Sequence, residues 1–306
     1  MQDVNLNKII IDKSKELGFT YAGFASPHKI QNNNLEKWLN LKYHSSMKWM
    51  ERSKDQRNDI VKYFPEVKTI ISFAYNYYTG ENDNSSDQYK ISNYAWGNDY
   101  HIVLKEKLYQ IINLISNYKS DFKYRVCVDT SPLMEKYWAE KSGIGWIGKN
   151  TNLINDKIGS WFFLSEILLD FKLEYNNPFS LDLCGSCTKC IDDCPTDAIV
   201  EEYVLDSSKC LSYLTIEHRD DIPDRYKDNL DNWIYGCDIC QQVCPWNNKF
   251  SVKSDDPNFI IRDKINDKSK EDWKNLTVED YRETFRKSPI KRTKFSGLKR
   301  NIAANK

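Results

Sequence analysis

The 306-residue sequence has no net charge to spare, since 44 Lys and Arg offset 44 Asp and Glu. Binding to nucleic acid through overall charge is thereby excluded, and any such affinity must rest on local asymmetry. Long apolar runs are also missing, with none near the ~20 residues that cross a bilayer. The start, Met-Gln-Asp-Val-Asn-Leu-Asn-Lys, lacks a signal-peptide core. The expectation is a cytoplasmic protein with no membrane partner. Nor is there a Walker phosphate loop, or a glycine fingerprint in the strand-helix setting of a dinucleotide site. What is present is a hydrophobic fraction of 40%, enough for a real core. The length suits two domains, or one large domain with an appended module.

Cysteine is the feature that organises the rest. Cys184-Gly-Ser-Cys187-Thr-Lys-Cys190-Ile-Asp-Asp-Cys194-Pro195 has the Cys-x-x-Cys-x-x-Cys-x-x-x-Cys-Pro spacing of a bacterial ferredoxin. Three thiolates two residues apart wrap one 4Fe-4S cubane, and the fourth, thrown out of register, ligates a second cluster. A second run, Cys237-Asp-Ile-Cys240-Gln-Gln-Val-Cys244-Pro245, supplies three more thiols, and Cys210 fills the missing place across a long insertion. The crossover rule assigns Cys184, Cys187, Cys190 and Cys244 to one cluster and Cys210, Cys237, Cys240 and Cys194 to the other. Cys127 is left over. Structural zinc would place paired knuckles further apart, and a disulfide framework belongs to small secreted domains.

Along the chain, Leu6, Ile9, Ile10 and Leu17 mark an amphipathic helix over 5–17 that stops at Gly18. A strand follows at 21–25, then a second helix at about 34–51 whose Trp and Met residues serve packing. Arg57 lies in a polar loop before a β-prone run at 67–75. The stretch 81–88 is an acidic Asn/Ser-rich loop without readable chemistry, and a helix is expected at about 102–118. A strand at 123–128 ends in Asp129-Thr-Ser-Pro132, with Pro132 in the first turn of the next helix. Asp129 thus sits at a strand-to-helix corner, where α/β folds line their ligand crevice, or where a side chain simply caps a helix. Counting by two puts Cys127 on the face of Asp129, in the pocket or in the core. Gly143, Gly145 and Gly148 let the backbone pass close to a flat or bulky ligand.

The alternation of helices and strands makes the first stretch an α/β or α+β layer domain over 1–175. A cluster module over 176–250 and a C-terminal region over 251–306 complete the expected division. Residues 282–306 hold nine Lys and Arg against the single acid Glu283. The group Lys291, Arg292, Lys294, Lys299 and Arg300 is either a solvated tail or a phosphate-contacting surface.

Taken together, these motifs resemble the epoxyqueuosine reductase family, which reduces the epoxide of epoxyqueuosine in tRNA, at the wobble position, to give queuosine. The resemblance rests on Arg57, Tyr94-Ala-Trp-Gly-Asn-Asp-Tyr-His101, Asp129-Thr-Ser-Pro132, Gly145-Trp-Ile-Gly148-Lys149-Asn150 and the ferredoxin run. Cys210-Leu-Ser-Tyr213-Leu-Thr215, the run from Tyr235 to Asn247 and the terminal Lys291-Arg-Thr-Lys-Phe-Ser-Gly-Leu-Lys-Arg-Asn301 add to it. It implies an α+β protein: a nitroreductase-like α/β domain that binds cobalamin, then a ferredoxin-like module of two 4Fe-4S clusters and a short basic region meeting tRNA. Arg57, Asp129, Trp146, Gly148, Lys149, Asn150 and Tyr213 are implied at the cobalamin, and Asp129 as the catalytic acid. An external electron donor and a monomeric state are further expectations. Many members carry C-terminal helical repeats; none is seen up to Lys306, so the basic segment is expected to carry more of the RNA affinity. Ser46 stands before Met47 where the family pattern has Gly.

Removing an epoxide oxygen as water needs a proton, and a carboxylic acid held partly desolvated keeps one at neutral pH. This is the role expected of Asp129. A cobalamin-dependent reductive dehalogenase and a ferredoxin-type carrier without catalysis are the competing readings; the first is typically exported, and the second needs no 175-residue leading domain.

Overall fold

The computed structural model describes residues 5–80 and 88–305. Most of the stretch expected as an acidic loop at 81–88 therefore lies outside the described residues. Asn5 caps the first helix, Leu6–Glu16, by accepting from the Lys8 N–H. The chain leaves that helix through Gly18, whose φ of +92° is open to glycine at little cost. Strands follow in chain order: β1 Tyr21–Ala25, β2 Thr69–Asn76, β3 Lys90–Ile91, β4 Tyr124–Cys127, β5 Trp146–Ile147, β6 Leu153–Ile154, β7 Phe162–Leu169, β8 Ile199–Glu201, β9 Val204–Leu205 and β10 Trp233–Tyr235.

The central sheet is β1-β2-β7-β4, antiparallel throughout. Because side chains alternate across a strand, Ile71, Phe73 and Tyr75 of β2 and Ile167 and Leu169 of β7 share one face. They pack with Ile10 and with Leu104, Leu108, Ile111 and Ile115 of the long helix Tyr100–Ser116. On the other face Ile70, Leu168 and Cys127 meet Leu133 and Trp138, the latter from the helix Glu135–Lys141. One rung of that face is unusual: Gly23, Ser72, Glu166 and Cys127 stand in register across all four strands. A carboxylate is thereby built into the middle of an apolar layer.

Several expectations are corrected. The helix expected at 34–51 is two short ones, Asn34–Asn40 and Lys48–Arg52, and a third, Lys54–Asn58, follows them. Lys42 and Ser45 adopt left-handed backbone between the first two. The Tyr213 hydroxyl then holds the loop by bonding the Ser46 hydroxyl at 2.6 Å and accepting from its N–H at 3.1 Å. A Gly at 46 could make only the second bond. Pro132 does not open a helix, because 128–134 form a loop and the helix begins at Glu135. Asp129 has a φ of 57°, which ends the strand alternation. Cys127 accordingly lies fully buried in the core and not beside Asp129 in a pocket.

The boundaries expected near 175 and 250 mark changes of architecture, not breaks in packing. β3 pairs in parallel with β10. Around that pair Tyr89 and Trp96 share a core with Ile234, Tyr235, Trp273, Phe285 and Leu298. The terminal helix Lys294–Ala304 is therefore part of the body. Among the described residues no helix is long and apolar enough to cross a membrane.

Candidate active site and cluster centres

Cys184, Cys187, Cys190 and Cys244 line one cavity of about 320 Å³, together with Leu183, Ile154, Trp246 and Phe250. Burial first, then the neighbouring Cys184, Cys244 and Cys187 thiols, pushes the Cys190 thiol up to about 11. The remaining ligands group separately. Cys240 is raised by burial and then by Cys210, with Cys194 among its further neighbours. Cys237 is raised by burial, with Cys240 and Cys210 beside it. Cys190 is also among the charges felt by Cys240, so the two groups adjoin. Among the described residues no three Cys, His, Asp or Glu side chains are set to hold a single metal ion. Thiols arranged around a space, not around a point, suit a polynuclear cluster.

The residues expected at the cobalamin are spread over several places. Trp146 is buried, points its indole Nε1 at Cys184 Sγ (3.5 Å), stacks on Phe179 and meets Trp246 edge-on. Lys149 and Asn150 line the cavity of the first thiol group, with Lys149 Nζ 2.7 Å from Glu202 and Asn150 Nδ2 donating to the Cys240 carbonyl. Gly145 and Gly148 make room for protein: a Cβ on either would stand 2.0 Å from the Ile154 oxygen or 2.4 Å from its side chain. The glycine-rich segment thus serves the close β5–β6 pairing. Tyr213 is buried and holds Ser46. Arg57 donates to Ser53 Oγ and to the Leu133 carbonyl, both at 3.0 Å, and so pins the end of the 128–134 loop.

Asp129 belongs to a second centre, which only the fold assembles. The Asp99 side chain caps the helix Tyr100–Ser116 and takes His101 Nδ1 at 2.7 Å, while His101 Nε2 faces Asp129 Oδ2 at 3.2 Å. Carboxylate oxygens only accept, so both ring nitrogens must carry protons and His101 is an imidazolium. Burial works against that charge, but hydrogen bonds to Asp129 and Asp99 outweigh it and raise His101 to about 9. Burial likewise pulls Asp129 upward, yet His101, Arg292 and Arg57 hold it below the usual carboxylate range. This corrects the expectation that Asp129 keeps a proton by desolvation. The proton rests on the imidazole beside it.

The Asp129 side chain is 59% exposed, although burial is the largest single influence on it. We read both together as a group on the floor of an open depression. Lys136 shares this character: it is exposed, its ammonium donates to the Thr151 carbonyl, and burial first, with Cys240 and Cys210 opposing, governs its charge. The depression therefore adjoins the second thiol group. His101, Glu135 and Lys136 were not singled out by sequence reasoning, though His101 closes a quoted motif. Only the Asp-x-His spacing at the start of a helix could have flagged it.

The basic segment divides. All five N–H groups of Arg300 are committed, to Asn301 Oδ1 and to the carbonyls of Leu214, His218 and Asp220. In this structure the residue expected at RNA phosphate clamps these carbonyls. Arg292 makes a two-pronged pair with Glu217, both contacts at 2.8 Å, lies over Trp49, and is felt by Asp129. Lys299 donates to the Lys274 carbonyl. Lys291 and Lys294 are exposed.

Comparison with known proteins bears directly on this geometry. A family model described as "Epoxyqueuosine reductase QueG, DUF1730" matches residues 57–130, and one described as "4Fe-4S double cluster binding domain" matches residues 183–247. An epoxyqueuosine reductase of Leadbetterella byssophila is 45% identical over 299 residues, covering 97% of each chain. The chain belongs to the epoxyqueuosine reductase family. Among solved structures, an epoxyqueuosine reductase with an epoxyqueuosine-modified tRNA-Tyr stem loop is similar at TM-score 0.89 and 28% identity, over 98% of this chain and 80% of that one. A Bacillus subtilis epoxyqueuosine reductase with its catalytic aspartate loop swung out of the active site is similar at TM-score 0.90 and 26% identity, with the same coverage. Family membership makes this chain an oxidoreductase with a double 4Fe-4S module.

Proposed function

We propose that this chain reduces the epoxide of epoxyqueuosine in a tRNA anticodon stem-loop to the alkene of queuosine, the last step of queuosine formation. The observation that carries the active-site reading is the His101 imidazolium against the Asp129 carboxylate on an accessible floor beside the second thiol group. Cys184, Cys187, Cys190 and Cys244 would hold one cluster, and Cys194, Cys210, Cys237 and Cys240 the other. Asp129 and Lys136 are exposed, and Cys240 and Cys210 act on the Lys136 charge, which supports a cobalamin site next to the second cluster. Cobalamin, when bound there, would supply a strongly reducing nucleophilic metal to the epoxide carbon, on electrons delivered by the clusters.

The chain's own residues supply position and protons. Arg57 and Glu135 hold the 128–134 loop at its two ends. Asp99 orients the imidazolium, as a carboxylate orients a catalytic histidine elsewhere. His101 gives its proton to the departing oxygen through Asp129, which faces the floor. Lys291 and Lys294, with Arg292 at the rim, would meet the phosphates of the stem-loop.

The test is turnover of an epoxyqueuosine-bearing stem-loop by Asp129→Asn and His101→Gln, with iron and corrinoid content measured in parallel. Both variants should keep their cofactors and lose about a hundredfold in rate, the usual scale for a displaced proton donor. Wild-type turnover should fall as pH rises through about 9, where His101 loses its proton. Full activity in either variant overturns the assignment.

A further inference from the structure

Behind Asp129 lies a group that the reaction just described does not use. Glu166 projects from the middle of β7 and is fully buried, and neither of its oxygens has a hydrogen-bond donor among the described residues. Its rung neighbour Ser72 also has an unpartnered hydroxyl, as does the Trp138 indole N–H on the helix above. An ionised carboxylate in such a place would cost several kcal/mol. The charged group that acts on it is Glu135, one turn before Trp138 on the same helix, although the two carboxyls are not hydrogen-bonded. Two carboxyls that act on each other inside the core do not both stay ionised, so at least one of them holds a proton. Glu135 in turn accepts the Asp129 N–H at 2.6 Å, so the three acids form a line from the sheet interior to the floor of the depression.

The stoichiometry of the reaction gives this line a purpose. Converting an epoxide to an alkene breaks both C–O bonds, forms the C=C bond, and consumes two electrons and two protons to release the oxygen as water. The electrons come through the clusters from a low-potential one-electron donor. His101 holds one proton. Once an RNA stem-loop covers the depression, solvent cannot readily replace it.

We propose that Glu135 and Glu166 form an internal proton store that delivers the second proton to the leaving oxygen through Asp129. The inference rests on the assignment of Asp129 and His101 to proton delivery. Glu135 is also a positioning residue, since its carboxyl fixes the left-handed Asp129 backbone. The charged and titratable groups around the pair are Asp129 and Cys127 from the β4 end, His101 and Tyr100 from the long helix, Arg57, and Lys136 beside Glu135. Burial, then the charge of Asp129, raises Glu135 to about 7, and burial with Glu135 raises Glu166 well above the carboxylate range.

Two measurements on the anaerobically purified holoprotein test the store. In infrared difference spectra against Glu166→Gln, wild type at pH 7 should show a protonated-carboxyl carbonyl band that shifts in D2O. The same band should be lost or displaced in Glu135→Gln, a variant that keeps an acceptor for the Asp129 N–H. In turnover of the modified stem-loop, Glu166→Gln should lose about tenfold in kcat above pH 8 and much less at pH 6, with KM unchanged. Absence of the band, or its survival in both variants, overturns the store whatever Asp129 does. A loss of equal size at every pH would show a purely structural role and overturn it too. Full activity in Asp129→Asn would instead remove the donor reading on which it rests.

Discussion

The thiol region and the acid corner solve opposite problems with the same tool, burial. In the thiol region burial raises the cysteines, so metal binding there displaces protons. At the acid corner burial is opposed by paired charge, so that one proton is fixed on His101 between two carboxylates and another lies deeper between Glu135 and Glu166. One region sheds its protons when it is assembled. The other keeps them for use. The thiol ligands fall within 61 residues of chain, from Cys184 to Cys244, whereas the acid corner draws on Arg57, Asp99, His101, Asp129, Glu135 and Glu166 from separate elements.

The comparison is broken most sharply by removing one thiol. Cys190→Ser should cost one cluster, taking anaerobic iron from about eight per chain toward about four, and abolish turnover because the electron path is cut. Cys127→Ser should leave iron untouched, since Cys127 is a core residue against Leu133 and Trp138. Iron loss in Cys127→Ser, with full iron in Cys190→Ser, would reverse the assignment. Iron analysis and the cluster absorbance read both.

These outcomes also show what the sequence could carry. A cubane dictates short fixed spacings between ligands, and spacing survives in one dimension, so the cysteines are readable without a fold. Strand β2 was readable by another local signal, the β-prone run at 67–75. The acid corner has no such rule. Asp129 could be placed at a strand end, but its partner His101 is 28 residues earlier, and Glu166 reads as a lone acid in a strand. Only the register of β2, β7 and β4 shows that it points into the core. The expected corrin residues carry no such rule either: Trp146, Lys149 and Asn150 are close in sequence to a glycine run, and the tight β5–β6 pairing sets them beside the first thiol group.

The basic segment sharpens the same distinction between local pattern and three-dimensional commitment. Arg300→Ala should behave as a fold mutation, because it strips donors from the carbonyls of Leu214, His218 and Asp220. A cost of about 2 kcal/mol is expected for such unpaired groups, seen as a fall of several degrees in Tm. Its RNA salt slope should not change. An unaltered Tm with a shallower slope would restore Arg300 to the RNA surface.

The smallest effect is expected from the lysines that make no such commitment among the described residues. Lys291 and Lys294 are exposed, and they flank Arg292, which reaches the depression through its pair with Glu217 and its influence on Asp129. A phosphate contact releases counterions, so each one lost should flatten the dependence of log affinity on log salt by about one unit. Lys291→Ala with Lys294→Ala should therefore weaken binding of an anticodon stem-loop and lower the slope by about two, with Tm and iron content unchanged. Reduction of the free nucleoside should stay at the wild-type rate, since neither lysine touches the acid corner. If affinity and slope are both unaltered, the RNA does not approach over this helix. The stem-loop would then enter the depression from the side of Lys48–Arg52, where Trp49 already lies under Arg292.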